Sequence, residues 1–215
     1  MADTLAEQTH RNLRQQIVDG VYRPSQRLVE ADLAQSLGVS RISVRSALQR
    51  LHQEGLVTIE PRRGAKVTDI SLEDALLVME VREGLEGWAA ALAAQRIGDE
   101  DVAELERLIA QMAQLLHEGK PLEYSENNAL FHQRILKSTA NPRLRQMLDS
   151  LQTTLVRYRF RTILVPGRDK HSIQEHTEIL EAIRARDPER AERAMRHHVG
   201  QVRRTMVEAK RLLEF

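Results

Sequence analysis

The chain of 215 residues contains no cysteine and few aromatic residues, glycines or prolines. The missing cysteines exclude disulfides, thiolate metal ligands and cysteine nucleophiles. Aromatic residues make up 3%, with only 10 glycines and 6 prolines, which favours helices joined by short turns over a β-sandwich or a disordered chain. No apolar run approaches the ~20 residues that span a bilayer, and the N-terminal segment has no apolar signal-peptide core. We therefore expect a cytoplasmic protein that makes no use of a membrane.

An excess of either charge is also missing, because 32 lysines and arginines face 31 aspartates and glutamates. This balance gives no global field that would draw the protein onto nucleic acid, so any basic surface must be local. Residues 40–66 form one local cluster, with six basic and two acidic residues. Charge alone is compatible with a solvated helix face as well as with a nucleic-acid contact.

The pattern around this cluster predicts a winged helix. Residues 5–18, 30–37 and 41–54 have helical patterns, Gly38 ends the second helix and Ser40 caps the third. Two β-branched segments flank the turn at residues 61–64 and predict a hairpin with a basic tip. Such a fold places the third helix in the major groove and the tip against phosphates or the minor groove. The candidate DNA-contacting residues are Ser40, Arg41, Ser43, Arg45, Arg50, Arg62, Arg63 and Gly64.

Arg41 and Arg45 lie one turn apart at the start of the third helix, where the helix dipole favours phosphate. An arginine there can also bind guanine O6 and N7 with two hydrogen bonds. The segment LGVSRISVRSALQRLHQEGLVTIEPRRGAKV resembles the winged-helix signature of GntR-type bacterial transcription regulators, with Ser43 where proline is usual and Ser46 where glutamate is common. We therefore expect a DNA-binding domain over residues 1–70.

Residues 71–215 carry helix signals without strand signals. Breaks near residues 98, 120, 141, 166 and 187 divide this part into six helices, which predicts an all-α bundle. The expected fold class of the chain is therefore mostly α, with an N-terminal winged helix-turn-helix that carries a small hairpin, followed by this bundle. The apolar face predicted for the first bundle helix consists of residues at helical spacing: Val78, Val81, Leu85, Trp88 and Leu92.

Three histidines, His132, His176 and His198, fall on the apolar stripes of three separate helices, and Asn128 lies one turn before His132 on the same face. A single histidine on an apolar face is usually an ordinary core residue. Burying three imidazoles without partners is costly, whereas one divalent metal would satisfy all three. Both interpretations are open at this point. Imidazoles suit several first-row metals, among which we expect zinc or nickel.

The motifs FHQRILKSTANPRL, EHTEILEAIRARD and AMRHHV resemble segments of the all-helical FCD effector domain in the FadR-like branch of GntR regulators. The resemblance implies a ligand-binding and dimerisation domain over residues 71–215. Many such domains hold a divalent metal through three histidines, here His132, His176 and His198, and an aspartate, here replaced by Asn128. An amide ligand brings no charge, so we expect weak metal ligation by Asn128 and a strong attraction for an anionic ligand.

Arg82 lies between Val78 and Leu85 on the first bundle helix. It can pair with Glu86 one turn later, or it can line the effector pocket, as the resemblance implies. Tyr124, Arg134 and Arg157 are further candidates for the border of that pocket, and the sequence does not decide among them.

We predict a ligand-responsive transcription regulator, acting as a repressor. As a homodimer it would bind a short inverted repeat in double-stranded DNA, and a small carboxylic acid would bind its helical domain through a divalent metal. One alternative is a metal-sensing regulator without an organic effector. Another is a histidine–metal hydrolase, but the chain has no HExxH, Ser/His/Asp or P-loop pattern, so we expect no enzyme.

Overall fold

The computed structural model describes residues 4–18, 21–60, 64–69, 71–163, 165 and 167–212, without the side chains at 18, 122, 152–161, 163, 169 and 210–212. Contacts between Cα atoms group the chain into two compact units, Met1–Ser71 and Leu72–Phe215. All strands formed by the described residues belong to the first unit.

The described residues of the first unit form three helices and a three-stranded antiparallel sheet in the order β1-β3-β2. The predicted order of helix, helix-turn-helix and hairpin is confirmed. Strand β1 was not predicted, because two residues are too few to show an alternating pattern. The elements are α1 (Leu5–Val18), β1 (Arg27–Leu28), α2 (Glu30–Leu37), α3 (Arg41–Gln53), β2 (Val57–Glu60) and β3 (Gly64–Val67).

The turn between α2 and α3 is fixed by its local sequence. Gly38 has a φ of 65°, a left-handed conformation that glycine adopts without strain. Ser40 then caps α3, because its Oγ accepts a hydrogen bond from the amide of Ser43 at 3.1 Å. The inner face of α3 packs against α1 and is fully buried, through Val44, Ala47, Leu48 and Leu51. The start of α3 therefore presents its other faces to solvent.

The described part of the second unit is a bundle of six helices. Side-chain caps begin two of them, because Asn141 Oδ1 accepts from the amides of Arg143 and Leu144, and Asp187 Oδ1 from that of Arg190. No helix among the described residues has the length and apolarity that crossing a bilayer requires. The helices are α4 (Leu72–Arg96), α5 (Asp99–His117), α6 (Pro121–Ser138), α7 (Pro142–Ile163), α8 (Arg168–Arg184) and α9 (Pro188–Leu212).

The apolar face predicted for α4 is wrong in part. Val81 and Trp88 point outward and are about half exposed, while the buried side of α4 is lined mostly by small residues such as Ala75, Ala89, Ala90, Ala93 and Ala94. Small side chains allow close packing against α9, as at Gly87, where a Cβ would lie 2.7 Å from Arg196 Cγ. Because alanine contributes little to a hydrophobic pattern, the larger residues misled the prediction.

Candidate functional site

Helices α6, α8 and α9 bring His132, His176 and His198 together inside the second unit. One ring nitrogen from each histidine lies within 4.8 Å of the other two. The ring centroids are 4.4 Å apart for His176 and His198 and 5.5 Å apart for His132 and His176. His176 and His198 are buried, and His132 is nearly so. We call these three residues the histidine cluster. Its donor atoms share one small buried volume.

The Nδ1 atoms of two cluster histidines are held by acceptors. His176 Nδ1 donates to the carbonyl oxygen of Ser172 at 2.5 Å, and His198 Nδ1 donates to Glu175 Oε2 at 2.7 Å. These contacts assign the proton to Nδ1 and leave the Nε2 lone pair available as a ligand. His176 Nε2 is buried and has no hydrogen-bond partner among the described residues.

His132 lies beside a buried carboxylate on α4. Its Nδ1 is 2.8 Å from Glu86 Oε2, an ion-pair distance, and neither atom has another hydrogen-bond partner in the described part of the chain. Arg82 pairs with the other oxygen of Glu86, with Nε 2.8 Å from Oε1. The pairing of Arg82 with Glu86 that the sequence allowed is thus present. The carboxylate of Glu86 contacts Arg82 through one oxygen and lies beside His132 of the histidine cluster with the other.

A second buried ion pair, between Arg168 and Glu175, was missed in the sequence. Arg168 Nη2 lies 2.8 Å from Glu175 Oε2, the oxygen that also accepts from His198. Arg168 Nη1 is buried and has no hydrogen-bond partner among the residues described. The signal that could have revealed the pair is its spacing, since residues seven apart on α8 share one helix face two turns apart.

Burial and charge set the protonation states of the site. Burial, and then the charges of neighbouring groups, lower the pKa of His176 and His198 well below the ordinary 6.5. Both rings are therefore neutral at pH 7 and able to ligate. Burial raises the pKa of Glu86, but the nearby charges of Arg82 and His132 outweigh it and hold that pKa well below 4.5. Glu86 is therefore an anion whose charge Arg82 offsets.

Asn128 lies one turn before His132 on α6, as predicted, and its Oδ1 is a buried atom without a hydrogen-bond partner in the described structure. Such an orphaned amide oxygen costs about 1–3 kcal/mol unless something donates to it or binds it. Tyr124 reaches the edge of the histidine cluster, because its hydroxyl donates to Ser172 Oγ at 2.7 Å. Arg134 instead pairs with Asp101 on α5. The side chain of Arg157 lies outside the described residues.

The start of α3 forms a second candidate site. Arg41 and Arg45 are both exposed one turn apart. Glu30 of α2 holds Arg45 through two donors, with Nε 2.9 Å from Oε1 and Nη2 2.7 Å from Oε2. The Arg45 side chain remains 63% exposed, and hydrogen bonding to Arg45 lowers the pKa of Glu30. To donate two hydrogen bonds to guanine, Arg45 would therefore have to break its hydrogen bonds to Glu30 or divide its N–H groups between Glu30 and the base.

The other predicted DNA contacts are scattered. Ser43 lies beside Ser40 in the cap, whereas Arg50 lies near Glu7 of α1, with Nη1 3.8 Å from Oε1. Gly64 begins β3 with a φ of 87°, and Arg62 and Arg63 lie outside the described residues.

Sequence reasoning also missed Ile42 on α3. It is 80% exposed, and its position just after the Ser40 cap places a bulky aliphatic side chain beside Arg41. An exposed aliphatic residue at the start of a reading helix is suited to contact with a thymine methyl group.

The first unit is a winged helix in which α3, the second helix of the helix-turn-helix, begins with arginines. The second unit is an all-helical domain with a buried histidine cluster. This combination defines a DNA-binding regulator with a sensing domain. Residues 5–67 match the family model described as "Bacterial regulatory proteins, gntR family", and residues 77–201 match the model of the FCD domain. The chain belongs to the GntR family of bacterial transcription regulators, with an FCD domain.

Curated relatives match this chain along most of their length. The chain is 30% identical over 200 residues to the transcriptional repressor GlaR of Escherichia coli, covering 88% of this chain and 90% of GlaR. It is 28% identical over 197 residues to the repressor RspR of E. coli, covering 91% and 86%. The solved structure of E. coli McbR/YncC superposes with a TM-score of 0.75 at 24% identity, covering 96% of this chain and 99% of that one, which supports the fold.

Proposed function

We propose that this regulator is a cytoplasmic repressor whose helical unit binds a small carboxylic acid at a divalent metal held by the histidine cluster. The observation that carries the proposal is the convergence of three histidines, two of them with Nδ1 already engaged by an acceptor. A histidine that donates its outer N–H to a carboxylate or carbonyl presents the other nitrogen as an oriented metal ligand.

The donor set fits a divalent cation. His132, His176 and His198 would hold it, and the orphaned Oδ1 of Asn128 would be a weak fourth ligand. Imidazole-rich sites suit zinc or nickel. When bound, the cation supplies a positive centre with positions open to a carboxylate. Glu175 and the carbonyl of Ser172 fix the orientation of two of the rings.

The charges around the cluster favour an anionic ligand. Glu86 and Glu175 are each offset by an arginine, Arg82 and Arg168 respectively, so these four side chains add no net charge. The side chains that would coordinate the cation are neutral as well. The charge of a bound cation would therefore be left for the acid to balance. Arg168 also lines an open cavity of about 470 Å³ between α8 and α9, together with Glu175. We infer that Arg168, through its free Nη1, is a better anchor for the acid than Arg82, whose guanidinium is committed to Glu86.

The DNA-binding part of the proposal depends on two copies of the winged helix. One winged helix offers few phosphate contacts, whereas a homodimer doubles them and reads a short inverted repeat. Arg41 and Arg45 would contact bases, and Ser40 and Ser43 backbone phosphates. Loss of Arg63 is expected to weaken binding to all sequences alike.

A metal sensor without an organic effector is the second candidate, since the same histidine cluster would serve it. The two functions differ in one measurement: a metal sensor changes operator affinity on metal addition alone. A histidine–metal hydrolase is the weakest candidate, because GlaR and RspR are named as transcriptional repressors.

The test uses tag-free protein and an operator selected from random DNA. Elemental analysis of wild type should find metal, and His132→Ala should lose it. The matched control is His117→Ala, which removes an exposed histidine outside the cluster. Calorimetry with a panel of small carboxylic acids should detect binding only to metal-loaded protein, and the acid that binds should weaken operator binding. Equal metal content in wild type and His132→Ala would overturn the proposal.

A further inference from the structure

One carboxylate oxygen of Glu175 is shared by two buried donors. Oε2 accepts a hydrogen bond from Arg168 Nη2 at 2.8 Å and another from His198 Nδ1 at 2.7 Å. Arg168, Glu175 and His198 are only 8%, 8% and 2% exposed. We call these three side chains the α8–α9 relay, because they connect a buried arginine to a histidine of the cluster.

The shared oxygen makes the two donors of the relay compete. The positive charge of Arg168 offsets the charge of the carboxylate and so weakens what Glu175 offers to His198. The other buried pair differs, because Arg82 donates to Oε1 of Glu86 while His132 lies beside Oε2. A change at Arg168 therefore reaches a cluster histidine through a single oxygen atom.

Arg168 has a further donor that no described residue uses. It lines the cavity of about 470 Å³ between α8 and α9, and its Nη1 is buried without a hydrogen-bond partner among the described residues. Oxygen pairs of an acid bind a guanidinium best through two parallel hydrogen bonds from two of its nitrogens. An acid that takes both Nη1 and Nη2 therefore draws Nη2 away from Glu175.

Release of Glu175 from Arg168 would strengthen the hydrogen bond that His198 donates. A carboxylate that accepts from one imidazole nitrogen makes the other nitrogen a more basic metal ligand. The ring of His176 has no such control, because its Nδ1 donates to the backbone carbonyl of Ser172, which carries no net charge for a ligand to offset. A ligand at Arg168 thus acts on His198 and leaves the His176 contact as it is.

We infer that Glu175 is a positioning residue that couples the acid to the metal: when Arg168 binds the acid, Glu175 is left to His198 alone, and His198 holds the metal more tightly. The inference rests on the proposed function, in which Arg168 anchors the acid and His198 ligates the cation, and it adds the route between them. By linkage, the metal raises the affinity for the acid by the same factor.

Zinc affinity in the absence of any acid tests the relay, by competition with a chelator at about pH 8, where histidines are neutral. Arg168→Met removes the competing donor and should tighten zinc binding about tenfold, whereas Glu175→Gln removes the charge and should weaken it about tenfold. In the double variant, Arg168→Met should have no effect of its own, because the residue through which it acts is gone. A merely structural role for Arg168 predicts weaker zinc binding instead.

The same cavity offers two matched controls. Arg204→Met and Glu178→Gln remove the same charges from exposed residues that line the cavity, and both should bind zinc like wild type. Circular dichroism checks that each variant keeps its helices. Arg168→Gln, which removes the charge but keeps a polar side chain, should also tighten zinc binding and serves if Arg168→Met does not fold.

NMR of metal-free protein gives a readout that needs no metal. The His198 Nδ1 proton should move downfield in Arg168→Met and upfield in Glu175→Gln, because its hydrogen bond becomes stronger in the first and weaker in the second. An unchanged resonance in both variants would contradict the relay.

The outcomes separate the relay from the proposed function. Any acid of the calorimetry panel that binds should raise zinc affinity more in wild type than in Glu175→Gln, and equal increases would overturn the relay. Weaker zinc binding by Arg168→Met, or an effect that persists in the double variant, would also overturn it and leave the metal site standing. A wild type that binds no zinc would instead overturn the proposed function, and the relay with it.

Discussion

Replacing Asn128 with aspartate should strengthen metal binding and destabilise the metal-free protein. Asn128 Oδ1 is buried without a hydrogen-bond partner in the described structure, and Arg82 and Arg168 of the two buried ion pairs already pair with Glu86 and Glu175. A carboxylate at this position therefore adds a buried charge to which no described group donates a hydrogen bond. In metal-free protein this should cost about 1–3 kcal/mol.

A bound cation reverses the sign of the effect. A carboxylate in place of a neutral amide should raise metal affinity by about 10–100-fold, the range measured for changes in groups that support a metal site. This range corresponds to about 1.4–2.7 kcal/mol, which nearly cancels the cost of the buried charge. Metal-loaded Asn128→Asp should therefore melt near wild type, while the metal-free form should melt several degrees lower, at about 2–4 °C per kcal/mol.

The assay is a competition titration with a chelator, with thermal melts of both forms. Asn127→Asp is the matched control, since Asn127 is a buried neighbour whose amide donates to the carbonyl of Glu123. It should lower stability with and without metal and leave metal affinity unchanged. Calorimetry of the metal-loaded variant should find weaker binding of the acid to Asn128→Asp, because the new charge offsets part of the field that the acid responds to. Unchanged or weaker metal affinity in Asn128→Asp would refute the reasoning.

The other predictions concern the reading helix and pH. Glu30→Gln should raise affinity for random DNA and lower the ratio of operator affinity to random affinity, because it frees Arg45 and removes a negative charge. Arg45→Ala should weaken the free energy of operator binding by about 1–3 kcal/mol. Fluorescence anisotropy measures both effects. Ile42→Ala should abolish any preference for thymine over uracil at one operator position, and wild-type discrimination would exclude the methyl contact. Chelator-treated protein should lose stability as pH falls below about 6.5, by up to about 1.4 kcal/mol per pH unit for each of His176 and His198. The reason is that burial lowers the pKa of both histidines in the folded protein, so that the unfolded chain takes up protons first. Melting temperatures that stay flat down to pH 5.5 would contradict this prediction.

Local signals in the sequence predicted most of the fold. Gly38, Ser40, Asn141 and Asp187 act through their own backbone or that of residues a few positions away, so their roles can be read from sequence spacing. The face of α4 could not be read in this way. Its buried side is defined by the close approach of α9, which selects small residues at Gly87 and its neighbours and leaves larger ones for the outside.

The candidate sites were predictable only in their innermost residues. Each cluster histidine lies on the apolar stripe of its own helix, a one-helix property that spacing reveals. The partners of these histidines come from elsewhere: Glu86 reaches His132 from a different helix, and Glu175 reaches His198 across 23 residues. The pair of Glu30 with Arg45 also joins two helices. Such contacts depend on tertiary distance, which a single sequence does not encode as a pattern.

In the proposed function, the distribution of charge around the cluster would link the metal to the acid. Glu86 and Glu175 are each paired with an arginine, so neither is available to balance a cation. Because Asn128 is a neutral amide, the described residues around the cluster would leave a bound cation to be balanced by an anion from solution. Metal and acid then bind better together than apart, and by linkage each raises the affinity of the other by the same factor. We therefore expect the helical unit to respond to the acid only when metal is present, which would distinguish an acid-responsive regulator from a sensor of the metal alone.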